Sequence, residues 1–419
     1  MWGLGVLFGG ALLQAPTAAP STTVVSPAGP WRTIAAGLAA TPAHGRLLVR
    51  AGVYREATIE VRRPVEITGE PGAVIDGEDA RQLMRITADS VTVRGLEFRR
   101  VGASFTEDRA AIRAEQVRGC RIEDNTIEDG FFGIYLARVT GCRVVGNRLH
   151  ARRASESVSG NGIHLWSADS VLIAGNRVGG YRDGIYFEFV HHSEVRNNRS
   201  ERNLRYGLHF MYSDDCRYQE NIFRANGSGV AVMFTRGVEM VDNQFLDARG
   251  SGAYGLLLKE MTDSRLTGNL FAGNTVGLVA EGATRLEARG NEFAENGRGI
   301  ALTASSQEAR FIGNGFVHNS FDVTTNSGNT RAEFTGNYWD DYRGYDLDRN
   351  GLGDVPYHPV RLFSLVTEHN PPALLLLRSL FVHLLDAAER AIPSLTPETI
   401  VDSSPAMGNP TRLVRRSHD

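Results

Sequence analysis

The 419-residue chain has only three cysteines and no excess of one charge, with 45 Lys and Arg against 48 Asp and Glu for a formal net charge of −3. So balanced a surface leaves no electrostatic footprint for nucleic acid, and no nucleic-acid partner is expected. Long apolar helical patterns are scarce, and with 46 glycines this points to an all-β chain. The Leu-x-x-Leu-x-Leu run that marks leucine-rich repeats is missing too.

What the chain does have is a repeat. Gly or Asp followed by Asn, with an apolar residue two places on, returns at Asn125, Asn147, Asn176, Asn198, Asn221, Asn243, Asn269, Asn291, Asn314 and Asn337, in steps of 22 to 29 residues. A Gly followed by a branched residue falls inside each step, from Gly133-Ile134 to Gly299-Ile300. From that Gly to the next Asn is 14 residues, 15 in the last step, whereas from Asn to the next Gly varies between 8 and 15. All length variation therefore enters at one corner of the unit. Repeats of this length without helical periodicity indicate a solenoid of β coils.

Residues five and three places before the Asn should point inward together, because side chains alternate faces along a strand. They include Cys120 and Ile122, Cys142 and Val144, Val171 and Ile173, and Val238 and Met240. A second inward ladder follows the Asn: Ile127, Leu149, Val178, Phe223, Phe245, Phe271, Phe293, Phe316 and Trp339. With strands stacked about 4.7–4.9 Å apart, the asparagines chain their amides along a bend. The expected fold is an all-β, right-handed parallel β-helix of about 22-residue coils, with a short N-terminal cap helix and a C-terminal helical tail.

Five segments follow: a signal peptide at 1–19, a cap and first strands at 20–64, the β-helix at 65–340, an Asp/Gly-rich junction loop at 341–370, and a helical docking segment with an extended tail at 371–419. The apolar run Trp2 to Leu13, followed by small residues, favours export although no Lys or Arg precedes it. In the segment Pro30 to Ala40, Trp31, Ile34 and Leu38 share one face of a cap helix. Cys120, Cys142 and Cys216 occupy one inward column. Their spacing just permits a disulfide between the first two, but side chains stacked in parallel are poorly aimed for one, so a buried thiol ladder is expected.

The variable corner carries loops at 99–110, 150–161 and 246–253, which leave the solenoid just before the strands that begin with Gly. Insertions gathered on one side of a repeat protein often mark its binding face. On those strands one outward column reads Arg113, Tyr135, His164, Tyr186, His209, Ala231, Leu257, and its neighbour Glu115, Ala137, Trp166, Glu188, Met211, Met233, Lys259. His164, Glu188, His209, Met211 and Met233, with His150 at the root of a loop, form a candidate copper site, since thioether and imidazole together suit Cu(I). The competing reading is a Met and aromatic patch under the 150–161 loop. Farther on, Asp346, Asp348, Asn350 and Asp354 follow the oxygen-ligand spacing of a calcium loop with Gly351 at position six. Tyr357 replaces the usual Glu, so an Asx-rich turn competes with calcium. The apolar stretch Pro371 to Ile392 carries Arg378, His383 and Asp386, too short and too charged to span a bilayer. It suits capping the last coil or docking on a membrane partner.

The closing run Gly336-Asn337-Tyr338-Trp339-Asp340-Asp341-Tyr342, then Asp348-x-Asn350-Gly351-x-Gly353-Asp354-x-Pro356-Tyr357, and a Leu-rich tail ending in Val401-Asp402, resembles the NosD family. That family is the periplasmic β-helix protein of nitrous oxide reductase maturation, and the likeness covers essentially the whole mature chain. It implies a non-catalytic accessory protein docked on the transmembrane subunits of an ABC-type transporter through Leu376, Leu377, Leu380 and Phe381. It implies further that the protein receives copper from a chaperone and passes it on toward the copper-sulfur centre of nitrous oxide reductase, or presents the apo-reductase to it. The alternative is a carbohydrate-active β-helix enzyme, a polysaccharide lyase, hydrolase or epimerase. Glycoside hydrolysis needs carboxylates about 5–9.5 Å apart, whereas Glu115 and Glu188 are spread over four coils, and His191-His192 lacks the Asp-Pro of an epimerase signature.

Overall fold

A computed structural model describes residues 21–104, 106–152, 155–303, 305–326, 330–376, 379–391 and 400–411. The expected signal peptide and Leu377 lie outside them. The chain winds into a parallel β-helix with three sheets of 14, 13 and 12 strands, every strand paired in parallel with the strand of the coil before and after it. One coil runs Arg121–Glu123 in the 14-stranded sheet, Thr126–Glu128 in the 13-stranded sheet and Phe132–Ala137 in the 12-stranded sheet. The variable loops enter between the last two.

Asparagine holds the first corner. The backbone N–H and side-chain Nδ2 of Asn125 both donate to Asn147 Oδ1, each at 3.0 Å, and Nδ2 also reaches the Val93 carbonyl. The same pattern passes through every repeat Asn to Asn337. There the ladder ends on Asp402, whose buried carboxylate accepts from Asn337 N–H and Nδ2, Trp339 Nε1 and Gly336 N–H. A carboxylate is the fitting terminator, because it only accepts and every group facing it donates. A second ladder, unmarked in the sequence reading, lies at the variable corner: Asn203 to Asn226, and Asn274 to Asn296 to Asn319, five residues after the first-ladder positions. The repeat is therefore Asn-x-apolar-x-x-Asn in the later coils.

The recurring Gly has a steric cause. A Cβ at Gly133, Gly162 or Gly277 would sit 2.5 or 2.6 Å from the carbonyl oxygen of the Gly one coil on, too close for any side chain. Inside, the expected ladder stacks its rings: Phe245 on Phe271 and Phe271 on Phe293 at 4.7 Å, ending with Phe316 on Trp339 at 4.2 Å.

Several expectations are corrected. Cys120 and Cys142 form a disulfide rather than a thiol ladder, their register bringing the Cα atoms to 4.6 Å. That separation lies within disulfide range. Cys216 stays a buried free thiol, pushed up to about 12 by desolvation. The cap helix α1 spans Ile34–Ala40, with Thr33 as its N-cap and the Glu56 carboxylate accepting from the N–H groups of Ile34 and Ala35. Ile34 and Leu38 are buried, but Trp31 precedes the helix and is exposed, because it pairs with Val25 as a β-bridge. A strand Thr22–Val25, absent from the sequence reading, pairs with Arg46–Val49 and begins the 14-stranded sheet.

At the other end, part of the expected junction loop is helix α2, Leu362–His369, packed through Phe363 on Phe321 of the last coil. The apolar stretch after it is not one helix but a 3-10 segment Pro371–Leu376 and helix α3, Leu380–Ala391. Paired prolines supply no N–H and disfavour a continuous α-helix. No described helix is long and apolar enough to cross a membrane. The described part of the tail is pinned rather than free: besides Asp402, Ala406 N–H donates to Asn337 O and Thr411 Oγ1 to Glu292 Oε2.

Two predictions follow from the closed end. Asp402→Ala strands several buried donors and is expected to cost about 2–4 kcal/mol in urea unfolding, with Asp402→Asn costing less. Asp322, buried under α2 with Asn319 Nδ2 at 3.1 Å, has its carboxyl pushed up to about 7 by desolvation. A raised folded-state value means its contribution is full below the unfolded value near 4 and is lost as pH rises to 7. The parent should therefore lose up to about 4 kcal/mol of stability from this group between pH 4 and 7, and Asp322→Asn should flatten that slope in unfolding titrations. Equal slopes in both proteins would rule the assignment out.

Candidate functional site

The 12-stranded sheet is the face beside the variable loops. Its strands register Arg113, Tyr135, His164, Tyr186, His209, Ala231 and Leu257 in one column, and Glu115, Ala137, Trp166, Glu188, Met211, Met233 and Lys259 in the next, as the spacing implied. The first column points outward but is largely covered by itself. Tyr135 stacks on His164 at 4.4 Å and His164 on Tyr186 at 4.7 Å, while Tyr186 meets His209 edge to face at 5.0 Å. His164 is 9% exposed and His209 7%. Burial first, and then the charges of Arg182 and Arg113, push His164 down to about 3, so it stays neutral, with Nδ1 at 2.9 Å from Asn161 Nδ2. A cleft of about 590 Å3 opens over His164 and Trp166, walled by Ser104 and Asp108 on one side and Ser157 to Gly160 on the other.

His209 is held differently. Its Nδ1 lies 3.2 Å from Arg205 Nη2 and 3.7 Å from Asp183 Oδ2, and its Nε2 is buried with no hydrogen-bond partner among the described residues. Burial alone would push the Asp183 carboxyl up, but the nearby His209 imidazole and the hydrogen bonds and charge of Arg205 hold it below the usual carboxylate range. Met211 and Met233 are direct neighbours on adjacent coils, each half-buried, and Glu188 sits beside Met211, accepting from Tyr186 Oη at 3.4 Å.

The structure thus brings together Glu188, His209, Met211 and Met233, and sets His164 apart, since the Tyr186 ring stands between the two imidazoles. His150 does not join them. It lies on the strand Arg148–His150 of the 13-stranded sheet, on a different face, because its strand precedes the variable corner. In the 346–354 loop, Asp346 accepts from Asn350 and Gly351 N–H, Asp348 from Asn350, and Asp354 from Leu347 N–H. Among the described residues no three His, Cys, Asp or Glu side chains converge as a metal cluster. At the expected docking segment, Leu376, Leu380 and Phe381 are exposed together with Leu375 and Leu384.

One feature had gone unmarked. Phe189, Tyr212 and Phe234, each five residues after a repeat Gly and adjacent to Glu188, Met211 and Met233, stack at 5.4 and 5.2 Å while remaining 46%, 43% and 39% exposed. Their backbones are left-handed, with φ of 55°, 48° and 55°; the same corner holds Ser167 one coil earlier and Gly282 two coils after Phe234. Bulky residues are costly in this conformation, and large exposed apolar groups are costly in water. A rail of three such residues beside a thioether pair has the composition of an interface centre.

The chain is thus a parallel β-helix with a loop-flanked outer face, a registered thioether pair and an exposed apolar rail. A sequence model described as periplasmic copper-binding protein (NosD) matches residues 149–344. The chain is 34% identical over 387 residues, 87% of its length and 89% of the relative's, to a probable ABC transporter binding protein NosD of Pseudomonas aeruginosa. It is 28% identical to the protein of the same description from Stutzerimonas stutzeri, covering 86% of each. The chain belongs to the NosD family. Among solved structures, a family 28 exopolygalacturonase of Yersinia enterocolitica shares the fold at a TM-score of 0.54 and 9% identity, over 78% of this chain and 80% of that one.

If the rail is kept for contact rather than for folding, Tyr212→Gly relieves about 1–3 kcal/mol of backbone strain against about 0.5–1.5 kcal/mol for each of its two lost ring stacks, which nearly cancels it. Chemical denaturation should find stability within about 1 kcal/mol of the parent. A large loss would make the rail structural.

Proposed function

We propose that this protein is a periplasmic, non-catalytic accessory protein of an ABC-type transporter that holds copper transiently and assists copper-sulfur centre assembly in nitrous oxide reductase. The observation that carries the reading is the registered Met211–Met233 pair, two residues along the same outward face from His209, whose Nε2 has no partner among the described residues. Two thioethers and an imidazole form a ligand set for Cu(I). Binding through Nε2 needs the ring proton on Nδ1, which faces Arg205 Nη2 at 3.2 Å and Asp183 Oδ2 at 3.7 Å, so the guanidinium must yield this nitrogen to the carboxylate when metal binds. Glu188 borders the set and offers compensating charge. The description of the family and the names of the relatives, which call them copper-binding and transporter-binding, support the same reading.

The partners of the proposal fall on different parts of the chain. Leu376, Leu380 and Phe381, exposed at one end of the solenoid, suit the transmembrane subunits of the transporter, where an apolar helix face fits an apolar groove. The Phe189–Tyr212–Phe234 rail, next to the thioethers, suits the proteins that deliver or accept copper, a chaperone and the apo-reductase. Against glycoside hydrolysis, Glu115 and Glu188 are three coil steps apart on the registered column, roughly 14 Å, outside the range for paired carboxylates.

Competition with a Cu(I) chelator under reducing conditions tests the copper site. The parent should retain copper, and His209→Ala/Met211→Ala/Met233→Ala should lose at least tenfold in affinity while remaining folded. Equal binding by both proteins moves the site elsewhere, and no binding by either removes the relay and leaves a docking scaffold.

A further inference from the structure

The 13-stranded sheet carries a groove on its outer side that copper handling does not use. In three consecutive coils the residue after the ladder Asn is arginine, and Arg148, Arg177 and Arg199 stand in direct register. Their backbones are therefore spaced by one coil rise, roughly 4.8 Å. Like charges directly opposite one another destabilise a sheet. Arg199 is relieved by Glu201, with Nε to Oε2 at 2.8 Å. Arg148 and Arg177 are exposed and have neither ion pair nor hydrogen-bond partner among the described residues.

The adjoining column shapes a channel beside this row. It reads Glu128, His150, Gly179 and Glu201, so the side chain is missing at Gly179, in the middle of the arginine row. The result is a groove of about 470 Å3 lined by Arg148, Arg177, Arg199, Arg202, His150, Glu128 and Glu201, among others. Guanidinium groups recognise carboxylates with paired, parallel hydrogen bonds. Beside them Glu128 and Glu201 offer acceptors for hydroxyl donors, and His150 offers either role. A polyphosphate has no hydroxyls to satisfy those carboxylates and would be repelled by them. A linear chain that alternates carboxylates with hydroxyls satisfies both columns together.

We propose that this groove binds a linear polyuronate chain laid along the solenoid axis, with carboxylates of the chain on the row of Arg148, Arg177 and Arg199 and ring hydroxyls on Glu128, His150 and Glu201. It is a binding site separate from the copper-handling face, since it lies on another sheet. His150 acts here rather than with the methionines.

Titration calorimetry on the full chain tests this with a hexamer of galacturonate, a neutral glucose hexamer and poly-L-glutamate. The uronate hexamer should bind saturably, more weakly as salt rises, and the neutral hexamer should not bind. Arg148→Gln/Arg177→Gln should weaken uronate binding at least tenfold. Arg121→Gln/Arg143→Gln, which removes the same charge from registered positions on the 14-stranded sheet, should leave it unchanged. Circular dichroism on both variants separates lost binding from lost fold, and if the first pair misfolds, Arg177→Gln alone replaces it with the same expectation in smaller degree. No saturable uronate binding by the parent, equal weakening in both variants, or tighter binding of poly-L-glutamate would overturn the proposal.

Discussion

The structure depends on one hydrogen-bond geometry, in which an asparagine amide bonds the asparagine of the next coil at the same corner. Each Asn receives two donors on its Oδ1 and sends its own Nδ2 to the next side chain and back to a carbonyl. Such a ladder tolerates no slip along the strand, because a shift of one residue would turn every inward side chain outward. In-register stacking of the interior phenylalanines and of the outer columns is a consequence of that constraint. So is the need to end it well: the last Asn would expose unsatisfied donors if Asp402 did not return from the tail to receive them.

The same repetition that stabilises the core creates rows of like residues on the surface. A solenoid places identical sequence positions one above another at the strand spacing, so a residue type repeated over two or three coils becomes a row. Three arginines make a charged row on one sheet, two methionines a thioether pair on another, and three aromatics an apolar rail at a corner. Each row costs something in isolation, through like-charge repulsion, backbone strain or exposed apolar area.

The variable corner sets where the outer face is walled. Loops leave the solenoid there without disturbing either the Asn corner before or the Gly contact after, and they wall the cleft over His164. The disulfide between Cys120 and Cys142 and the closed ends around α1 and α2 complete a body whose surface rows are rigidly spaced. Rigid spacing suits the transient handling of a metal, where ligands must be placed before the metal arrives.

The coil length, the inward columns, the outward registers from Arg113 to Lys259 and the Gly beat were legible in the sequence, because a repeat carries its own alignment and strand alternation then assigns each face. The second Asn ladder and the aromatic rail were equally periodic and had a readable signal five residues after each marker, but they lie at corners, where alternation gives no face. What only the tertiary structure decided was of another kind. Asp402 closing a ladder 65 residues upstream, the orphaned His209 Nε2 and the separation of His150 from the methionines depend on how distant segments or successive rings share space. The sequence determines which residues stand in a row, since that is local periodicity; which rows are covered, paired or left open is set by long-range packing.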